Sequence, residues 1–288
     1  MRRRLTRRRL ALRLLSGFVC LLAAVILLMP MAYTLFNSLM SPDEVGLYYR
    51  RVFVKDGPPA MLHLIPDHLS FEAYYRILLG RPDYLEKFWN SLGLGAAVVA
   101  IQALVSCMGG FALAKYRFRG RQALFFLMVV LMMLPIQVTL MPNYIVLDRL
   151  GLMDSWWALI LPAGFLPFGT FLMTQIYRAV PDEVVEAAKL DGANLRQLLW
   201  RVMTPAGKNG FISMLLLSFI GAWNMVEQPM VFLKDMSRYP LSVFLAANIQ
   251  YDYALAFACG VLAMLPVLSL FLFFHEEFVE GIEFSGLK

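Results

Sequence analysis

Charge is scarce in this sequence. Asp, Glu, Lys and Arg make up 16% of its 288 residues, where soluble domains carry about 25%. That shortage, beside 60% hydrophobic residues, excludes an ordinary cytosolic enzyme and also a disordered chain, which needs the opposite composition. Cysteine is scarcer still. Cys20, Cys107 and Cys259 all lie inside apolar runs and read as small buried hydrophobes, not as a disulfide framework or a set of thiolate ligands. Histidine is equally sparse: His63 and His68 sit in a polar loop and His275 at the end of an apolar run, a scatter from which no metal site is expected. The sequence also lacks a Gly-x-x-x-x-Gly-Lys-[Ser/Thr] phosphate loop, a Gly-x-Ser-x-Gly elbow and a His-Glu-x-x-His pair. A non-catalytic chain with no cofactor of its own is expected.

Apolar length is what the chain has in quantity. Mean hydropathy is +0.64, and six stretches, 14–36, 90–114, 122–144, 157–177, 209–233 and 253–275, approach or exceed the roughly 20 residues of a spanning helix. None alternates like a strand, so an all-α membrane protein of six transmembrane helices is expected. The first stretch follows an Arg-rich start but is too long and lacks a small-x-small site after its core, which reads as an uncleaved anchor. With the N-terminus cytoplasmic, the inside segments hold 17 of the 26 Lys and Arg and the outside segments 9, with none left in a span. The positive-inside rule then places both termini in the cytoplasm. The seven arginines among residues 2 to 13 are matched to this rule and to anionic lipid, not to nucleic acid.

The expected organisation is a basic cytoplasmic N-terminus at 1–13, a first helix at 14–36, an extracytoplasmic subdomain at 37–89, a five-helix core at 90–275 and a cytoplasmic tail at 276–288. In the outer segment, Leu47-Tyr48-Tyr49 and Phe71 to Tyr75 predict short amphipathic helices near the membrane surface. Pro30, Pro135, Pro142, Pro162, Pro167 and Pro266 interrupt the spans, and each removes a backbone hydrogen bond, which favours a bundle that moves over a static anchor. Glu227 is the one acid placed inside a span. Function along a solute path and simple solvation at the interface both fit that position. On a continuous helix Asn224, three residues earlier, shares its face, and Trp223 offers an aromatic ring to a sugar.

The most informative segment is the cytoplasmic loop 178–208. Pro181 suits a first helical position, with Asp182 and Glu183 complementing the positive helix end. Val184, Ala187 and Ala188 form a narrow face of small residues, and Gly192 fits a left-handed C-terminal cap. Asn194 caps a second helix whose Leu195, Leu198, Leu199 and Val202 make one stripe, ended by Pro205. Such a hairpin either packs on its own bundle or docks a soluble partner.

Glu186-Ala187-Ala188-x-x-Asp191-Gly192-Ala193, with Pro205 beyond, resembles the EAA loop of permease subunits of bacterial ABC importers, most of all the maltose-type carbohydrate-uptake permeases. Leu134 to Pro142, Leu150-Gly-Leu-Met-Asp154, Phe171 to Tyr177, Trp223-Asn224 and the tail from Phe278 to Lys288 carry further likeness. The family pattern has Leu where this chain has Thr204, and an acid directly after Trp-Asn where it has Met225. The resemblance implies the ABC importer permease fold in the bacterial inner membrane. It implies a second homologous permease, a cytosolic ATPase dimer that binds the ATP, and an extracytoplasmic solute-binding protein as partners. It implies import of a sugar or oligosaccharide by alternating access, with Glu186, Ala187, Ala188, Asp191 and Gly192 coupling to the ATPase. A polyol or glycerophosphodiester importer is the alternative within the class, and a stand-alone secondary transporter the alternative outside it.

Overall fold

A computed structural model describes residues 2–49, 63–80, 82–248 and 253–286, and every regular element among them is helical. The chain divides into two compact units, Met1–Pro82 with Asn248–Leu262, and Asp83–Ala247 with Ala263–Lys288.

In the first unit, α1 (Arg2–Asn37) leads into the short helices α2 (Pro42–Tyr49) and α3 (Glu72–Leu78), close to where the aromatic patches predicted them. Between Arg13 and Asn37 the apolar window of α1 buries nothing against the rest of the chain, so this helix presents its Leu, Val and Phe side chains all round, as a lipid-facing helix does. The end of α1 is tied down by polar groups. The Tyr33 hydroxyl donates to the Tyr49 hydroxyl (2.5 Å), which donates to Asn37 Oδ1 (2.5 Å), over a small core of Met40, Val45, Tyr49 and Ala254.

The second unit is the larger. Its long helix α4 (Pro82–Lys115) buries Leu94, Val98, Cys107, Phe111 and Ala114, and α5 (Arg121–Met132) follows it. Next come α6 (Ile136–Arg149), α7 (Trp157–Gly164) and α8 (Pro167–Ala179). The helix α4 meets α8 at glycine: a Cβ on Gly110 would stand 2.6 Å from the Met173 Cβ and 3.0 Å from the backbone of residues 173 and 174. Two apolar clusters flank this line. One gathers Cys107, Phe111, Met173, Tyr177, Val185, Leu198 and Met203, the other Leu94, Val98, Leu159, Ala222 and Phe232. The connection after α6 is pinned by Asp154, whose Oδ1 accepts hydrogen bonds from the backbone N–H groups of Asp235 (3.0 Å) and Lys234 (2.9 Å). Those donors hold its carboxyl below the usual carboxylate range.

Among the described residues, four helices are long and apolar enough to cross a membrane, Arg13–Asn37, Pro82–Lys115, Trp157–Ala179 and Tyr253–Gly281, and the count is five when the bent pair that follows α4 is taken as one span. The stretch 122–144 is a pair, α5 and α6, bent by 107°. Pro135 causes the break: it sits extended (φ −64°, ψ 144°), and a residue before proline, here Leu134, disfavours continuing the helix. The stretch 209–233 is also broken, into α12 (Lys208–Trp223) and α13 (Glu227–Phe232). Pro229 accounts for it, because its ring would clash with the Met225 carbonyl of an unbroken helix. That carbonyl accepts the Ser242 hydroxyl instead. After α14 (Leu241–Asn248), α15 (Tyr253–Gly286) is kinked at Phe274 (φ −121°, ψ 20°), beside the expected end of the span at 275, and the tail beyond the kink is helical as far as it is described; Leu287 and Lys288 lie outside the described residues. Its Glu277 pairs with Lys208 (3.1 Å) and its Glu280 accepts from Asn209, which seats the last helix on the start of α12.

Candidate functional site

The loop between α8 and α12 begins with α9 (Asp182–Leu190). Pro181 is its N-cap and Asp182 its first residue, one position later than the sequence predicts. Lys115, at the end of α4, donates to the Val180 carbonyl (2.5 Å) and to Asp182 Oδ1 (2.5 Å), so the start of α9 is fastened to a long apolar helix. That ammonium keeps the Asp182 carboxyl below its ordinary range. The C-terminus closes as a Schellman motif. Gly192 is left-handed (φ +80°), its N–H donates to Lys189 O (3.0 Å), and Ala193 N–H donates to Ala188 O (3.0 Å). Asn194 and Gln197 then form a capping box at α10 (Leu195–Gln197).

The next turns depart from the α-period. Leu198–Met203 is π-helical, followed by α11 (Thr204–Ala206), so Pro205 lies within the helical run and does not end it. The wider turn suits a proline that cannot donate. Thr204 N–H bonds five residues back to Leu199 O, and the Thr204 hydroxyl donates to the same carbonyl (2.9 Å). Leu198, Leu199 and Met203 are buried as a result, while Leu195 is exposed.

The narrow face of Val184, Ala187 and Ala188 is divided in the structure. Val185 is buried and Ala188 packs against the same core cluster. Glu186, Ala187, Asp191 and Gly192 are exposed, together with Val184 and Leu190, the latter 90% exposed. Ala188 therefore belongs to the packed side of the hairpin. The free side is an apolar ridge of Val184, Ala187 and Leu190 beside Glu186, and Leu190 is the residue that sequence reasoning missed. Its signal was present: it falls at i+3 from Ala187, just before the cap.

The second group of predicted residues is rearranged by the break at Pro229. Asn224 is the C-cap of α12 and Glu227 the first residue of α13, so the two do not share one helix face. Trp223 is buried. Its ring stacks on Phe219, meets Phe88 edge-on, and its Nε1–H donates to Ala263 O (3.2 Å), which makes it part of the packing. Glu227 is exposed and accepts from the Gln137 amide at both carboxylate oxygens (2.9 and 3.2 Å). The bend at Pro135 thus sets Gln137 against the break at Asn224. Nearby, a cavity of about 330 Å³ is lined by Gln102, Thr139, Asn143, Ser218 and Gln228 among apolar side chains.

Residues 106–279 match the family described as the binding-protein-dependent transport system inner membrane component. The chain belongs to this family. The match runs from the last third of α4 into α15 and takes in the whole hairpin and both breaks. Among curated relatives, the arabinooligosaccharides transport system permease protein AraQ of Bacillus subtilis is 30% identical over 79% of this chain and 82% of its own length. The diacetylchitobiose uptake system permease protein NgcG of Streptomyces coelicolor is 26% identical over 93% and 86%. The sn-glycerol-3-phosphate transport system permease protein UgpE of Brucella abortus is 26% identical over 93% and 95%. In fold, the chain is similar to a bacterial ABC transporter involved in the import of the acidic polysaccharide alginate, with a TM-score of 0.74 at 24% identity over 91% of this chain and 95% of that one. This permease accordingly has the all-helical ABC importer permease fold and belongs to a family of inner-membrane transport components.

Proposed function

We propose that this permease carries a sugar or oligosaccharide inward by alternating access, driven by a cytosolic ATPase dimer. A second homologous permease completes the path, and a solute-binding protein delivers the solute from outside. Alternation needs a partner that binds one conformation better than the other. The exposed ridge of α9, held on a buried base by Lys115 and closed by Gly192, is the surface offered for that contact, with Glu186, Ala187, Asp191 and Gly192 on its free side and Ala188 beneath.

The observation that carries the solute assignment is the chemistry of the cavity. Amide and hydroxyl groups line it, and the charge nearest by in sequence, Glu227 beside Gln228, is negative. Neutral donors and acceptors suit polyhydroxyl solutes, whereas a phosphate ester calls for Arg, Lys or a helix N-terminus. The two relatives named for oligosaccharides support the same reading. Uptake of labelled oligosaccharides and of sn-glycerol-3-phosphate, compared in cells with and without the gene, tests it. Gene-dependent uptake of the phosphate ester alone would overturn the sugar reading.

Glu227→Gln is expected to lower solute uptake about tenfold, the rate equivalent of about 1.4 kcal/mol, with the complex still assembled on purification. Unchanged uptake kinetics would assign Glu227 to interfacial solvation. For orientation, cysteines placed at the exposed Arg117 and Arg196 are expected to react only from the cytoplasm, and one at the exposed Lys234 only from outside. Labelling of position 196 from outside intact cells would overturn the N-in, C-in arrangement.

A further inference from the structure

Three side chains of the first unit converge on one point. His63 Nε2 lies 3.6 Å from Glu44 Oε1 and 3.4 Å from Asp67 Oδ1, and the three donor atoms all lie within 4.8 Å of one another. We infer that Glu44, His63 and Asp67 form a divalent-cation site of the zinc type, clipping α2 to the segment 63–70.

Ligand atoms at the ordinary zinc distances of about 2.0–2.2 Å in a tetrahedron stand roughly 3.3–3.6 Å apart, and both histidine-to-carboxylate separations fall in that interval. The ring nitrogen is buried and has no hydrogen-bond partner, although it is directed between two carboxylates. A buried polar atom left without a bond is costly unless something completes it. The ring is held in place for such a role: Tyr48 stacks on it at 4.1 Å with the planes 5° apart. The carboxylates are oriented too. Glu44, whose side chain is 9% exposed, accepts the Asp67 backbone N–H at Oε1 (2.8 Å), and the Tyr48 hydroxyl points to Asp67 Oδ2 (3.4 Å). Metal sites use such outer partners to fix their ligands. One imidazole and two carboxylates match zinc with a fourth position for water, are too few oxygens for calcium and lack the sulfur that copper(I) selects.

The competing account is a protonated His63 bridging two acids with no metal. The full-length permease in its assembled complex, stripped with a chelator and dialysed against buffered zinc, distinguishes them. About one zinc per permease is expected above the content of the same complex carrying both His63→Gln and Asp67→Asn. Cobalt in place of zinc is expected to show the visible absorption of a tetrahedral ion. Asp67→Asn alone is expected to weaken binding by at least about 100-fold, beyond the roughly 10- to 100-fold that loss of an outer partner costs. Asp67 is 58% exposed, so this variant keeps the fold even where His63→Gln does not. Equal zinc content in the unaltered and doubly substituted complexes, or zinc binding unmoved by Asp67→Asn, would overturn the site.

Discussion

Leu190→Asp is expected to leave the permease in the membrane at normal abundance while the ATPase is lost from the purified complex. Leu190 is 90% exposed at the end of α9, directly before the Schellman turn, so its side chain adds nothing to the subunit's own core. Full burial of a leucine side chain against a partner contributes about 1.5 to 3 kcal/mol, and every 1.4 kcal/mol is about tenfold in affinity. A carboxylate there would be buried by a docked partner without a pair. Ala188→Trp provides the opposite signature. Ala188 packs against the cluster of Val185, Leu198, Leu199 and Met203, and an indole forced into that space costs about 1 to 3 kcal/mol of strain. Reduced abundance of the subunit itself is therefore expected from Ala188→Trp, and intact abundance with lost ATPase coupling from Leu190→Asp. ATPase binding and solute-stimulated hydrolysis that survive Leu190→Asp would show that the ridge is not the coupling surface.

Gly110→Leu is expected to remove folded permease from the membrane almost completely. The Cβ of even an alanine at this position would press on Met173 Cβ at 2.6 Å and on the α8 backbone at 3.0 Å. Backbone cannot yield as a flexible side chain does, so α4 and α8 would have to separate along the cluster that also seats the hairpin. Small residues at helix crossings let the backbones approach, and the dispersion gained there is what holds helices together in lipid. Overpacking by one methyl group costs about 1 to 3 kcal/mol, and a leucine adds three more carbons to the same gap. Gly17→Ala in α1, where nothing stands within 4 Å of the new carbon, is the control and is expected to leave abundance unchanged. Gly110→Leu at ordinary abundance and thermal stability would contradict the close crossing.

The sequence by itself determined the helical membrane class, because apolar length and scarce charge leave no other way to satisfy the backbone in lipid. It also determined the hairpin's local signals. Gly192 is left-handed and Asn194 caps because both depend on residues within one turn of themselves. Whether an apolar run stays one helix was partly legible: Pro229 and Pro135 mark the two breaks, but a proline in a spanning helix gives anything from a slight kink to the 107° bend found here, and packing selects the angle. Tertiary structure alone decided which side of α9 faces the bundle. Periodicity identifies residues that share a face but not the surface against which it lies, so Ala188 turned inward with Val185, and Leu190 was left outside. The same holds for Trp223, which hydropathy places near Glu227 and packing assigns to Phe219 and Phe88. Glu44 and His63, too far apart in sequence for any local pattern to pair, meet only because α2 and the segment 63–70 lie together, with the Asp67 N–H bonded to the Glu44 carboxylate.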